Sequence, residues 1–375
     1  MAAMAEKTKS LAGYTLGVTA DRRADEQISL LEGRGAKCIH GPTIRTHPLR
    51  PEAEIKAVTD RFLADPPSIL VATTGLGVRG WLEAADALQL GTELREALAQ
   101  CRVFARGPKA HGAAVTAELS VEWSGKSATT AEVLERIRPE IKPGDRVAVQ
   151  VDGAPGHPLI GAIEELGANV LTVPIYRWEL PADTTRAEVL IRAVAEEKVD
   201  GITFTARPAA ENFVILAEQM GLVEPIRAAM TSTVKTFCVG PVCAEGVATL
   251  DIGRPIQPER FRLGAMVMSI TKTFEAQHAE VEIGGLAVRL QGKMLAIGGG
   301  EPTMLTDRER QVLDILVERP GVVHSKEALL RRVWGAGERD THVVEVTVGR
   351  LRKRLGEAGV GIETVVRRGY RASPT

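Results

Sequence analysis

At ~150 residues per compact unit, the 375-residue chain holds two or three domains with real cores, which excludes a single small module. Hydrophobic residues make up 44 % and charged residues 25 %, globular proportions that exclude disorder, collagen-like repeats and disulfide-dense scaffolds. The formal net charge of −1 predicts no polyanion partner on average, but the charge is unevenly spread: from Val281 onward 16 Lys/Arg face 12 Asp/Glu, whereas residues 1–280 hold 31 against 36.

The opening MAAMAEKTKS lacks the ~7–15-residue apolar stretch of a signal peptide, and no run of ~18 apolar residues follows. A cytoplasmic protein without membrane association is expected. The cysteines at 38, 101, 238 and 243 are scattered and form no C-x-x-C pair, so neither a disulfide framework nor a metal site is expected, and no cofactor.

A faint internal repeat runs along the chain at an offset of about 132 positions. GAKCIHGPTIR (35–45) answers to GANVLTVPIYR (167–177), with Gly35/Gly167, Pro42/Pro174 and Arg45/Arg177 in register. LGV (16–18) answers to VAV (147–149), ILVATT (69–74) to ITFTA (202–206), and RVFARGP (102–108) to TFCVGP (236–241). Each repeat is a series of short apolar strands ending in Gly/Thr/Pro loops that open helices, a βαβ pattern. Val78, Trp81, Leu82 and Ala85 after one such loop, and Phe213, Leu216, Ala217 and Met220 after its counterpart, carry the stripe of a helix packed on a sheet. Two similar flavodoxin-sized α/β lobes are predicted.

Pro255 and Pro258 end the second lobe, and Phe261, Leu263, Met266, Val267, Ile270 and Phe274 form a closing helical stripe that could support self-association. A linker over 276–281 leads to two short strands, Glu282–Arg289 and Lys293–Ile297, around a Gln291–Gly292 turn. Thr306-Asp-Arg-Glu309 is a capping box that opens a helix carrying Val312, Leu313 and Leu316 inward. Ser325 caps a second helix that reaches Trp334, and Asp340 a third that reaches Leu355. In the third, Val344, Val348, Leu351 and Leu355 face the core, and His342, Gly349, Arg350 and Lys353 lie opposite. Ile362–Arg371 reads as a β-hairpin with Arg367-Arg368-Gly369 at its tip, which completes a winged helix.

LTDRE, Val333–Trp334, VTVGRLRKRLGE and IETVVRRGYR resemble the OmpR-type winged-helix effector domain of bacterial response regulators over about 90 residues. The resemblance implies double-stranded DNA as partner, with the third helix in the major groove and the hairpin in an adjacent minor groove. His342, Arg350 and Lys353 would face the groove, Arg352 and Arg354 would flank toward phosphates, and Arg367 and Arg368 would form the wing tip, since Val366 stands where the family usually has arginine. A homodimer on paired half-sites is expected. The phospho-acceptor constellation of a receiver domain is missing from the N-terminal part.

That part instead resembles uroporphyrinogen-III synthase over nearly all of 10–275, through LAGYTLGVTADR, GAKCIHGPTI, ILVATTGLGVRGWLE, VPIYRW, ITFTARPAAENF and FCVGPVCAEG. The implied fold is a two-lobe α/β domain, 10–44 and 177–275 forming one lobe and 45–176 the other, followed by the winged helix at 282–375. A cleft between lobes would suit an acidic small molecule or tetrapyrrole precursor, because strand-end loops opening helices present unpaired N–H groups. Thr73, Thr74, Gly107, Thr205, Arg207 and Gly240 are the candidate ligand-binding residues, and Tyr176 matches the family's cleft tyrosine, the candidate catalytic residue. Ala206 replaces the serine of the family's FTS loop, and Ala110 and Cys243 replace loop threonines, so an active synthase is not expected.

The fusion resembles the actinobacterial nitrate/nitrite assimilation regulators. It predicts a transcription regulator with a ligand-sensing or dimerising synthase-like module, and a second nitrogen regulator as a further partner. The alternatives are a bifunctional synthase that also binds DNA and a protein-interaction platform without a small ligand.

Overall fold

The computed structural model describes residues 9–48, 52–151, 157–335 and 340–373, so most of the MAAMAEKTKS segment lies outside the described residues. Two compact units partition the chain: one takes Met1–Gly41, Thr185–Ala206 and Phe213–Thr375, the other Pro42–Thr184 and Arg207–Asn212.

The first unit contains a five-stranded parallel sheet built from β1 (Thr15–Val18) and β2 (Lys37–His40) and from three strands later in the chain, in the order Pro255–Ile256, Lys235–Cys238, Gly201–Phe204, β1, β2. Between these come β3 (Arg45–Pro48), β4 (Ile69–Ala72), β5 (Arg102–Ala105), β6 (Val121–Ser124), β7 (Arg146–Val151), β8 (Asn169–Pro174) and β9 (Tyr176–Glu179). The later three are β10 (Gly201–Phe204), β11 (Lys235–Cys238) and β12 (Pro255–Ile256). The second unit's parallel sheet runs β6-β5-β4-β7-β8. With the 132-position repeat as key, β7, β8, β4, β5 and β6 answer to β1, β2, β10, β11 and β12, so both sheets have one spatial order although the chain enters them at different strands. Backbone geometry repeats as well. Gly35 and Gly167 both take left-handed conformations (φ +96° and +83°), and Gln89 adopts φ 61° where its counterpart Gly221 has +68°.

The stripes read from sequence are buried. Val78, Trp81, Leu82 and Ala85 of the helix Gly75–Ala87 lie in the second unit's core, where Trp81 meets Phe62 edge-on at 5.1 Å and its indole donates to Thr59 Oγ1 (3.0 Å). Pro255, expected to end the second lobe of the repeat, instead opens the edge strand β12, where a missing N–H is tolerated.

Three boundaries differ from expectation. The lobe expected at 45–176 extends to Pro42–Thr184, because β3 and β9 pair antiparallel (Pro48 opposite Tyr176, Arg45 opposite Glu179) and Thr43 Oγ1 donates to Ala209 O (2.7 Å). The linker at 276–281 is shorter, because Ala279–Ile283 already pairs with the next strand as β13. The strand expected at Glu282–Arg289 is broken by Gly284–Gly285 (φ +59° and +76°), a left-handed pair suited to a tight hairpin turn, and β14 (Leu286–Gln291) follows. With β15 (Met294–Ile297) and β16 (Thr303–Met304) these form a four-stranded antiparallel sheet, followed by three helices and the hairpin β17 (Ile362–Val365) and β18 (Gly369–Ala372).

The closing helix Leu263–Glu275 does not offer a stripe for self-association. Leu263, Met266, Val267, Ile270 and Phe274 are buried in the chain's own core with Leu16, Leu31 and Phe237, and Phe274 packs 4.4 Å from Tyr14. Phe274→Ala should therefore cost about 3–5 kcal/mol in denaturant unfolding and leave the sedimentation profile unchanged; a shift in association state instead would restore the stripe to an intermolecular role.

Candidate nucleic-acid interface and ligand loops

The C-terminal helices are set by their caps. Thr306 Oγ1 accepts from Glu309 N (3.3 Å) while Glu309 Oε2 accepts from Thr306 N (2.8 Å), which starts the helix Asp307–Glu318. Ser325 Oγ accepts from Ala328 N (3.1 Å) and starts Lys326–Trp334. The third helix, His342–Arg354, receives its cap from Asp340, whose Oδ1 accepts from His342 N (2.8 Å), although Thr341 is the boundary residue. Val344, Thr347, Val348 and Leu351 are buried, and His342, Arg350 and Lys353 are exposed on the other side.

Its basic residues divide by partner. Arg350 and Lys353 are exposed and belong to no ion pair among the described residues. Arg354 stands 3.9 Å from the nearly buried Glu309 carboxylate, with about half of its side chain in solvent. Arg352, expected to flank toward phosphates, has partners within the domain. Its Nε and Nη2 donate to Ile362 O (2.8 and 2.5 Å), Nη2 also donates to Thr364 Oγ1 (2.9 Å), and the guanidinium lies 5.7 Å from the centre of the Tyr370 ring. It clamps the hairpin to the helix. His342 Nδ1 lies 3.2 Å from Glu345, and the neighbouring Lys326 and His342 hold the Glu345 carboxyl below the usual carboxylate range.

At the hairpin tip Arg367 takes φ +60°, and Arg367 and Arg368 are exposed beside Val366. Gly369 has φ +130°, and a Cβ there would stand 2.0 Å from His324 O, which leaves glycine as the residue that lets the hairpin close on the loop before Ser325.

The candidate ligand loops lie at the C-terminal ends of parallel strands. In the second unit Thr73, expected to face a ligand, is buried, and its hydroxyl donates to Gln150 O (2.6 Å), tying β4 to β7. Thr74 caps the helix Gly75–Ala87 by accepting from Gly77 N (3.0 Å), and its N–H donates to Gln150 Oε1 (3.1 Å). Tyr176 is 4 % exposed, and its hydroxyl donates to Thr74 Oγ1 (3.2 Å). The structure thus groups Thr73, Thr74 and Tyr176 around Gln150, a buried amide that the sequence reading missed because nothing near it in the chain marks it. Gly107 precedes the helix Pro108–Thr116, whose first turn meets the other helix start: a Cβ on Gly75 would lie 2.4 Å from Lys109 O. Arg207 is paired with Glu211 (2.8 Å).

After β10 of the first unit, the helix Arg207–Gln219 has Ala206, not Thr205, at its cap, and no side chain closes it. Thr19 and Thr203 supply ties like that of Thr73: Thr19 Oγ1 donates to Thr203 O (2.8 Å) and Gln27 Nε2 to Thr203 Oγ1 (2.7 Å). Gly240 caps Pro241–Thr249 through backbone alone. Ala110 and Cys243 are buried, and contact with Cys238 together with burial pushes the Cys243 thiol far up, so it is no thiolate nucleophile. Among the described residues no group of His, Cys, Asp or Glu could hold a metal ion, and no helix is long and apolar enough to cross a membrane.

Comparison with known proteins fits this division. Residues 25–268 match the family model of uroporphyrinogen-III synthase HemD, and residues 300–372 match that of the C-terminal domain of transcriptional regulatory proteins. The uncharacterized protein YjjA of Bacillus subtilis is 26 % identical over 267 residues, covering 71 % of this chain and 98 % of its own. A mutant uroporphyrinogen III synthase from the extremely thermophilic bacterium Thermus thermophilus superposes with a TM-score of 0.58 at 29 % identity, across 70 % of this chain and 99 % of the other. The heme response regulator HssR of Staphylococcus saprophyticus is 38 % identical over 96 residues, 24 % of this chain and 42 % of HssR.

The split among the basic residues is testable. Arg350→Ala and Lys353→Ala should weaken DNA binding with little change in Tm, by about 1–3 kcal/mol where a base edge is read, or by a salt slope smaller by about 1 where a phosphate is met. Arg352→Ala should instead lower Tm, since its charged bonds to Ile362 and Thr364 are worth roughly 1.5–3 kcal/mol each before solvent screening. Thermal melts beside gel shifts read both; an Arg352 variant with normal Tm and lost DNA binding would return that residue to the phosphate-contacting set.

Proposed function

The chain belongs to the uroporphyrinogen-III synthase HemD family and carries a C-terminal OmpR-type winged helix, and we propose that it is a DNA-binding transcription regulator whose synthase-like module senses an acidic ligand instead of making a tetrapyrrole. The carrying observation is the exposed basic set: Arg350 and Lys353 on the third helix and Arg367 and Arg368 on the hairpin, in a region with 16 basic against 12 acidic residues. Such a surface meets duplex DNA through phosphates and groove edges. One winged helix gives modest affinity, so we propose a homodimer on paired half-sites.

For the synthase-like module, the backbone donors at the helix starts after Thr74, Ala206, Gly107 and Gly240 favour a carboxylate-bearing ligand. Catalysis demands more. Closing a ring from a long flexible bilane requires one held pose, and a misplacement of ~1 Å can cost ~100-fold. Thr73 spends its hydroxyl on Gln150, and Ala110, Ala206 and Cys243 supply none. Tyr176 is the residue we assign to any residual turnover. The module order, resembling that of actinobacterial nitrate/nitrite assimilation regulators, leads us to place the controlled genes in nitrogen assimilation, alongside a second regulator.

Purified full-length protein should retard promoter DNA, gain Tm with a linear tetrapyrrole precursor or another polycarboxylate, and form uroporphyrinogen III from hydroxymethylbilane slowly or not at all. Robust product formation, lost in Tyr176→Phe, would favour the bifunctional synthase. A promoter-wide binding map without nitrate or nitrite genes would remove the nitrogen assignment.

A further inference from the structure

The sheet of the winged-helix domain is not suspended on a linker; it is seated on the N-terminal end of β1 within the same compact unit. Gly13 and Gly292 meet back to back, both left-handed (φ +86° and +52°), and Lys293 N donates to Gly13 O (2.9 Å). A Cβ on Gly13 would stand 2.4 Å from Gln291 O, and one on Gly292 2.6 Å from Gly13 O, so backbone meets backbone without room for a side chain. Gln291 is 2 % exposed, and its Nε2 donates to both Lys9 O (2.8 Å) and Ala12 O (2.9 Å), satisfying the carbonyls of the turn that leads into β1. Arg310 donates to Gly292 O, and Lys293 pairs with Asp307. From the lobe, Asp200 accepts from Thr15 N (2.6 Å) and lies in the field of Lys293, Asp307 and Arg310.

The internal repeat supplies a control. Gly144, which stands two residues before β7 as Gly13 stands two before β1, has the same left-handed backbone (φ +90°), yet a Cβ there would meet nothing within 4 Å. The turn conformation therefore belongs to the α/β repeat, and the close approach at Gly13 belongs to the docked domain.

We infer that Gly13, Gly292 and Gln291 form a clasp that makes the DNA-binding domain and the lobe containing β1 and β10 one thermodynamic unit, so that DNA held by the third helix stabilises the synthase-like lobe and events in that lobe alter DNA affinity by the same factor. The clasp stands at the N-terminal ends of β1 and β10, and the loops after Val18 and Phe204 stand at their other ends, one short strand away. Gln291 acts as a positioning residue. The inference does not depend on the ligand proposed above.

Hydrogen exchange on the full chain tests it, with a random-sequence duplex at ~50 mM salt as probe. At DNA ~100 times above Kd, the globally exchanging amides of β1 and β10 should slow by about a hundredfold together with those of residues 286–297. In Gln291→Glu, whose carboxylate cannot donate to the two turn carbonyls, residues 286–297 should keep that protection while β1 and β10 slow by less than about twofold. Gly13→Ala should uncouple the two by a separate route, and far-UV circular dichroism checks that each variant is folded. Slowing confined to residues 286–297 in the unaltered chain overturns the inference, a result that needs no variant; full lobe protection retained in Gln291→Glu overturns the clasp.

Discussion

A parallel sheet covered on both faces confines chemistry to its strand ends, and both α/β units obey that constraint. Val18, Phe204 and Phe237 in one unit, and Val71, Phe104 and Val149 in the other, are completely buried. No polar ligand reaches the middle of such strands without stripping buried backbone of its partners. The C-terminal ends carry the threonine and glycine loops. The N-terminal ends of β1 and β10 carry the clasp that seats the DNA-binding domain. Four residues of strand, about 13 Å at ~3.3 Å each, separate the two.

The same constraint explains what was legible in the sequence. An offset of 132 positions aligned the strands correctly because buried parallel strands are short apolar runs stopped by glycine, threonine or proline, a pattern one-dimensional comparison detects. The winged helix was legible for another reason: its helix starts depend on local pairs such as Thr306 with Glu309, and its core stripe on helical spacing. Partnerships across the fold were not legible. Arg352 sits in a basic run and looks like a phosphate contact, but its partners Ile362 and Thr364 are brought to it by the hairpin. The stripe at 263–274 has the spacing of a docking face whether its partner is another chain or β1 and β11 of its own. Gln150 and Gln291 are ordinary glutamines until the fold buries them against carbonyls and amides.

In the second unit Gln150 sets how the loop after β4 is held. Its main-chain carbonyl takes the Thr73 hydroxyl, its side-chain oxygen takes the Thr74 N–H, and its Nε2 donates to Val151 O (2.6 Å). A Cβ on Gly77 would fall 1.9 Å from that Nε2, so the helix after the loop approaches this amide as closely as glycine allows. Tyr176 then bonds to Thr74, the residue whose oxygen also caps the helix. The arrangement rigidifies the helix start, and it uses polar atoms that a substrate would otherwise engage. The hydroxyls of Thr73, Thr74 and Tyr176 thus serve the fold of this loop.

In the DNA-binding domain, acidic side chains cancel part of the positive charge. Asp314, Glu318, Glu345 and Glu363 engage Arg310, Arg332, Lys326 and Arg371, respectively. Exposed pairs of this kind add little stability, but each one cancels a charge locally. Among the described residues the third helix's Arg350 and Lys353 and the hairpin's Arg367 and Arg368 take no part in such pairs, so four uncancelled positive charges stand on the two elements that a winged helix presents to DNA. A surface that neutralises about four phosphates binds in a strongly salt-dependent way and carries limited sequence information by itself. Fixing the orientation of that surface relative to a larger body is what would let two copies measure the distance between half-sites, and the backbone contact between Gly13 and Gly292 supplies such a mount.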